Sequence, residues 1–143
     1  MNKNGKITCL LLALVLALAL CFGCSAPVTD TPAQILEDIT AGEADELIEE
    51  NQGNPDFIIV DVRTPEEYAE GHIGGSLLID FYADDFEEKI GQLDREGEYL
   101  VYCRSGNRSS QALSVMEDFG FREVYNLLGG IKAWTAAGLP TVK

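Results

Sequence analysis

Tyr99-Leu100-Val101-Tyr102-Cys103-Arg104-Ser105-Gly106-Asn107-Arg108-Ser109-Ser110 carries the strongest structural signal in the chain. An apolar run ends at a cysteine, a polar loop with one glycine follows, and Ala112, Leu113, Met116 and Phe119 then recur at helical spacing. That succession predicts a buried strand, a tight loop and a helix, with Cys103 at the turning point. A loop feeding a helix N-terminus aims unpaired backbone N–H groups and the positive end of the helix dipole at its own centre, so it favours an anion. The anion at hand is the Cys103 thiolate, or a negative group bonded to its sulfur, and the guanidinium groups of Arg104 and Arg108 add to the same field. The thiol is therefore expected to ionise more readily than an ordinary cysteine. Free cysteines often serve as small buried hydrophobes, but Arg, Ser, Gly, Asn, Arg and two Ser are poor core material and good material for an anion cradle.

Cys103-Arg104-Ser105-Gly106-Asn107-Arg108-Ser109 resembles the active-site loop of the rhodanese-like sulfurtransferase family, C-x-x-G-x-R-S. Two more stretches are similar to that family: Asp61-Val62-Arg63-Thr64-Pro65-Glu66-Glu67-Tyr68 followed by Gly71-His72-Ile73, and Leu128-Gly129-Gly130-Ile131-Lys132-Ala133-Trp134 with Gly138-Leu139-Pro140. Gly74 stands where the family often has proline. Three ordered motifs at single-domain spacing, from about Gln34 to the C-terminus, make a specific match. The resemblance implies a rhodanese-like α/β fold, with a central, mostly parallel five-stranded sheet and helices on both faces. It implies Cys103 as catalytic nucleophile, Arg104, Ser105, Gly106, Asn107, Arg108 and Ser109 as the substrate-binding loop, and Asp61 and Arg63 as bracing beside it. From the residues alone, Asp61 and Arg63 read as a buried ion pair or cap without chemistry. The implied activity is that of a thiosulfate sulfurtransferase (rhodanese)-type transferase. A small sulfur-containing anion such as thiosulfate or polysulfide would give its outer sulfur to Cys103, and cyanide, a thiol or a partner-protein thiol would accept it. No cofactor is needed.

Other classes are excluded or stand as alternatives. The formal net charge is −14, and so acidic a chain lacks the Lys and Arg clusters that bind nucleic acid. His72 is the only histidine; with no third orienting group, Cys103 and His72 do not make a thiol-protease triad. One His and one available Cys cannot close a zinc shell, so no metal site is expected. A phosphatase or arsenate reductase of the dual-specificity type needs a wider loop, C-x-x-x-x-x-R, whereas Arg108 is five positions after Cys103, one fewer. A persulfide carrier or thiol redox sensor without multiple turnover would have the same residues as the transferase.

The N-terminus reads as targeting. Lys3 and Lys6 precede an apolar run from Ile7 to Phe22, and Gly23-Cys24-Ser25-Ala26-Pro27 resembles a bacterial lipoprotein cleavage site. Residues 1–23 are expected as a signal peptide, 24–33 as a linker anchored by lipid on Cys24, and 34–143 as the rhodanese-like domain; an uncleaved N-terminal anchor is the alternative. Either way the domain is expected to be exported and membrane-tethered on the extracytoplasmic face. Of four cysteines only Cys103 falls in the domain, so no disulfide framework is possible there.

Along the domain, Ile35 to Thr40 fits a helical turn or a short strand, and Ala44, Leu47 and Ile48 give one apolar face to a helix from about Gly42 to Glu50. Phe57-Ile58-Ile59-Val60, apolar on successive residues, reads as a parallel strand covered on both faces. Thr64-Pro65-Glu66-Glu67 has the cap, N1 proline and acid of a helix start, giving a short helix through Glu70. A short strand at Ser76–Ile79, an acidic helix at Asp84–Ile90, a strand at Phe121–Leu128 and a helix at Ile131–Ala137 complete the pattern. Trp134 reads as core. Strands alternating with helices mean a parallel sheet, whose ligands bind at the carboxyl ends of the strands.

Overall fold

A computed structural model describes residues 33–143. The signal segment, the lipid site at Cys24 and all but the last residue of the expected linker lie outside them. Among the described residues no helix is long and apolar enough to cross a membrane.

The elements alternate: β1 Ile35–Ile39, α1 Ala41–Glu50, β2 Phe57–Asp61, α2 Pro65–Glu70, β3 Leu77–Leu78, α3 Phe86–Gly91, β4 Glu98–Tyr102, α4 Asn107–Asp118, β5 Glu123–Leu127 and α5 Gly130–Ala136. The five strands form one sheet in the order β1-β5-β4-β2-β3, and every pairing is parallel. Segment 35–40, open to either assignment in sequence, is a strand because it registers with β5, Ile35 against Glu123 through Ile39 against Leu127. The acidic helix starts two residues later than its composition suggests. Asp84 and Asp85 stay in a turn whose Ala83 carbonyl accepts the Phe86 N–H, and Phe86 is the first residue to anchor in the core.

Alternation along β4 sorts the core. Tyr99 and Val101 pack with Val60, Phe86, Ile90, Ala112 and Met116 under α3 and α4. Leu100 and Tyr102 pack with Ile59, Ala44, Ile131 and Trp134 under α1 and α5. The sheet is thus covered on both faces, which is why its central strands read as unbroken apolar runs. Each large side chain so buried contributes ~1.5–3 kcal/mol. Trp134 is 2% exposed and its Nε1–H donates to the Pro140 carbonyl at 2.8 Å, so it is core with its one polar atom satisfied.

Two capping boxes fix where helices begin. Thr40 with Glu43 starts α1, and Thr64 with Glu67, with Pro65 directly after Thr64, starts α2; in each box the backbone N–H of either residue donates to the side-chain oxygen of the other. After β4 the chain turns toward β5, and after β2 it turns toward β3, so a crevice opens at the carboxyl ends of these two central strands.

Candidate active site

Cys103 follows the last residue of β4, and Gly106 sits at the N-cap of α4 with a left-handed φ of 98°. That conformation suits glycine, and it curls residues 103–108 around the sulfur. The Gly106 N–H donates to Cys103 Sγ at 3.2 Å, and the Ser109 hydroxyl lies within 3.5 Å of it. Cys103 is 1% exposed and Ser109 fully buried. Burial pushes the thiol pKa up, but the Ser109 hydroxyl and the backbone N–H groups of Ser109, Ser105 and Gly106 outweigh it, and the net shift is down. The sulfur therefore lies in a nest that prefers the thiolate.

The cradle is buttressed from α5. Ile131 N–H donates to the Cys103 carbonyl at 2.9 Å and Lys132 N–H to the Arg104 carbonyl at 3.3 Å. Gly130, at φ 59°, lies so close that a Cβ there would collide with the Cys103 carbonyl oxygen and the Arg104–Ser105 peptide. The Gly-Gly turn is thus the surface against which the loop is moulded.

Arg108, expected to face an incoming anion, is brought to the site and paired there. Its Nη1 and Nη2 donate to Glu67 Oε2 and Oε1 at 2.7 and 2.8 Å, and its guanidinium lies 5.4 Å from the Tyr82 ring centroid. The first cause of its raised pKa is that bond to Glu67, with the Cys103 charge a further contribution. Arg104 remains exposed, with no acid within ion-pair distance among the described residues. Asn107 is the first residue of α4, so its backbone belongs to the helix start.

Asp61 and Arg63 form a buried fork, with Nη2 2.6 Å from Oδ2 and Nε 3.0 Å from each carboxylate oxygen. Arg63 Nη2 also donates to the Gly71 carbonyl at 2.9 Å, and the guanidinium sits 5.6 Å from the Tyr102 ring centroid. The pair ties the end of β2 to the end of α2. His72 stacks on Tyr68 at 3.6 Å and pairs its backbone with Val142; it makes no hydrogen bond to Cys103. Among the described residues no three His, Cys, Asp or Glu side chains converge as a metal site would require.

The sequence model of the rhodanese-like domain family matches residues 40–137. The chain belongs to that family. A sulfurtransferase of Allochromatium vinosum is 38% identical over 87 residues, spanning 61% of this chain and 79% of that protein. The thiosulfate sulfurtransferase GlpE of Coxiella burnetii is 36% identical over 95 residues, 66% of this chain and 82% of its own. Among solved structures, the crystal structure of a rhodanese-related protein from Thermoplasma volcanium superposes with a TM-score of 0.61 at 32% identity, covering 74% of this chain and 97% of that one.

Within this rhodanese-like domain, three residues that the sequence reading gave no place at the site come to it. Glu67 was visible as a capping acid, but its hold on Arg108 spans 41 positions and leaves no local trace. Tyr82 carries no sequence signal of its own, and Lys132 lies in the Leu128–Trp134 stretch without a local sign of its neighbour; the topology brings Tyr82 over Arg108 and the Lys132 backbone beside Arg104.

Proposed function

We propose that the chain is a sulfurtransferase that carries sulfane sulfur on Cys103. The observation that carries this is a buried sulfur ringed by N–H and O–H donors, with its pKa lowered, in a loop of four residues between Cys103 and Arg108. The relatives named sulfurtransferase support it.

The Cys103 thiolate attacks the outer sulfur of thiosulfate, the bond between the two thiosulfate sulfur atoms breaks, and its electron pair leaves on sulfite. The terminal sulfur of the resulting persulfide anion occupies the centre of the loop, where the donors that favoured the thiolate now hold the negative charge. Cyanide or a thiolate then attacks that sulfur, and Cys103 departs as thiolate. Donor and acceptor react in turn with one nucleophile. Arg104, exposed at the mouth, attracts the anionic donor. Arg108 acts mainly by shaping the loop, because Glu67 holds it, and Asp61 with Arg63 brace the adjoining turn. The Lys3–Cys24 stretch supports export and a lipid tether at Cys24; Cys24→Ser should remove the acyl mass and release the protein from the membrane fraction.

Intact mass of the full-length protein, before and after thiosulfate and then cyanide, tests the chemistry. One sulfur atom is gained and then lost with release of thiocyanate, and Cys103→Ser shows neither. No adduct, with hydrolysis of a phosphate ester instead, would overturn the proposal in favour of the phosphatase class.

A further inference from the structure

Between segment 81–87 and helix α4 lies a cavity of about 270 Å³ in which the sulfur-transfer reading has no part. Phe81, Ala83, Phe86 and Val115 give it an apolar lining, and Asp84 and Glu87 complete its wall. The core fixes its shape. Phe86 is buried, Phe81 and Val115 pack against the same cluster, and the Phe86 N–H donates to the Ala83 carbonyl at 3.1 Å. The Phe81 and Phe86 rings lie 5.0 Å apart and are tilted by 59°, so they make a corner rather than a stack. Asp84 and Glu87 are exposed, and neither has a basic group within ion-pair distance among the described residues. The one lysine of α3, Lys89, is held by Asp85 at 3.0 Å.

An apolar pocket edged by two unpaired carboxylates selects one ligand chemistry. A bare metal ion needs several converging ligands, and no group of three His, Cys, Asp or Glu side chains supplies them among the described residues. An anion would be repelled, and a neutral molecule would gain nothing from Asp84 and Glu87. A cation carried on an apolar body uses both features. Its hydrocarbon fills the cavity, while its charge lies near two carboxylates and beside aromatic rings, whose faces attract cations. The volume holds roughly nine water-sized groups, enough for one ring and a short chain. We propose that this cavity binds a small organic ammonium ion, its charge between Asp84 and Glu87 and its apolar body against Phe81, Phe86 and Val115. Phe81 also meets Tyr82 edge-on at 5.6 Å, and Tyr82 faces Arg108, so the cavity neighbours the Cys103 loop without sharing a residue with it.

The full-length protein, with no sulfur donor present, is titrated with 2-phenylethylammonium, with neutral 2-phenylethanol and with anionic 3-phenylpropionate. Chemical-shift changes at the Ala83 and Val115 amides report occupancy of the cavity. The cation should bind at least about fivefold more tightly than the alcohol, and the carboxylate should not bind. Asp84→Asn combined with Glu87→Gln changes two exposed side chains, so the fold should persist, and the cation should then bind within about twofold of the alcohol. Removing two exposed charges from α1 instead, in Glu46→Gln with Glu49→Gln, should leave the preference for the cation unchanged. Absence of shifts with the cation, or equal binding of cation and alcohol by the wild type, would overturn the proposal. So would an equal loss on removing the α1 charges, which would assign the attraction to the formal charge of −14 rather than to this cavity.

Discussion

Glu67 grips both terminal nitrogens of Arg108, at 2.7 and 2.8 Å, while its Oε2 also accepts the Thr64 N–H at 3.2 Å. One carboxylate therefore caps α2 and fixes the far end of the Cys103 loop. The bond to Arg108 is the leading reason its pKa is lowered, against the upward push of partial burial. A carboxyl whose folded pKa lies below its unfolded one, ~4.3, stabilises fully above that unfolded value and loses the contribution as pH falls through the folded one. Glu67→Gln should cost about 1–3 kcal/mol at neutral pH. Urea midpoints of wild type and variant should converge in acid below the carboxylate range; a gap unchanged by pH would contradict the assignment.

Ser109 is the first of the groups that lower the Cys103 pKa against burial. Its single hydroxyl proton has two acceptors, the Gly106 carbonyl at 3.1 Å and Sγ at 3.5 Å, and ionisation of the thiol draws it toward sulfur. In Ser109→Ala the pH midpoint of Cys103 alkylation should move up, toward the ~8.5 of a free cysteine. The wild-type midpoint should lie below that of the variant. A midpoint unmoved in Ser109→Ala would assign the shift to the backbone N–H groups alone.

Gly130 and Gly42 make opposite predictions for one added methyl. At Gly130 the φ of 59° is left-handed and the Cβ would strike the Cys103 carbonyl, so Gly130→Ala should cost at least about 2 kcal/mol and slow alkylation of Cys103 by displacing the loop. Gly42 lies in the first turn of α1 with nothing within 4 Å of its would-be Cβ; Gly42→Ala should gain about 0.5–1 kcal/mol of stability. Thermal melts of the two variants check both signs.

What the sequence disclosed depends on how local the cause is. Thr64, Pro65 and Glu67 announce α2 because capping acts over three residues. Cys103 to Ser109 announce the cradle because strand, glycine and helix start are contiguous. β1 stayed ambiguous since Ile35 to Ile39 is decided by its pairing with β5, 88 positions away in the Asp38–Asn126 side-chain bond. Arg108 shows the same limit at the site. Its place after Cys103 is local, whereas its partner Glu67 and its neighbour Tyr82 are set by the sheet order.

Asp61 and Arg63 supply the sharpest separation of bracing from chemistry. Asp61 is fully buried and the hydrogen bonds to its carboxylate come from Arg63, including the Arg63 backbone N–H at 2.9 Å. Removing the carboxylate charge strands a guanidinium that is 4% exposed, and breaking a buried pair on one side costs about 3–5 kcal/mol. Asp61→Asn should lose that much in urea unfolding. Asp61→Asn combined with Arg63→Met should be less damaging than the sum of the single changes by at least about 1 kcal/mol, because the second substitution removes the stranded charge. Neither residue bonds to Sγ, so thiosulfate loading of Cys103 per folded molecule should stay within about twofold of wild type in Asp61→Asn. A loading rate that collapses while the protein remains folded would instead place Asp61 in the chemistry of the sulfur.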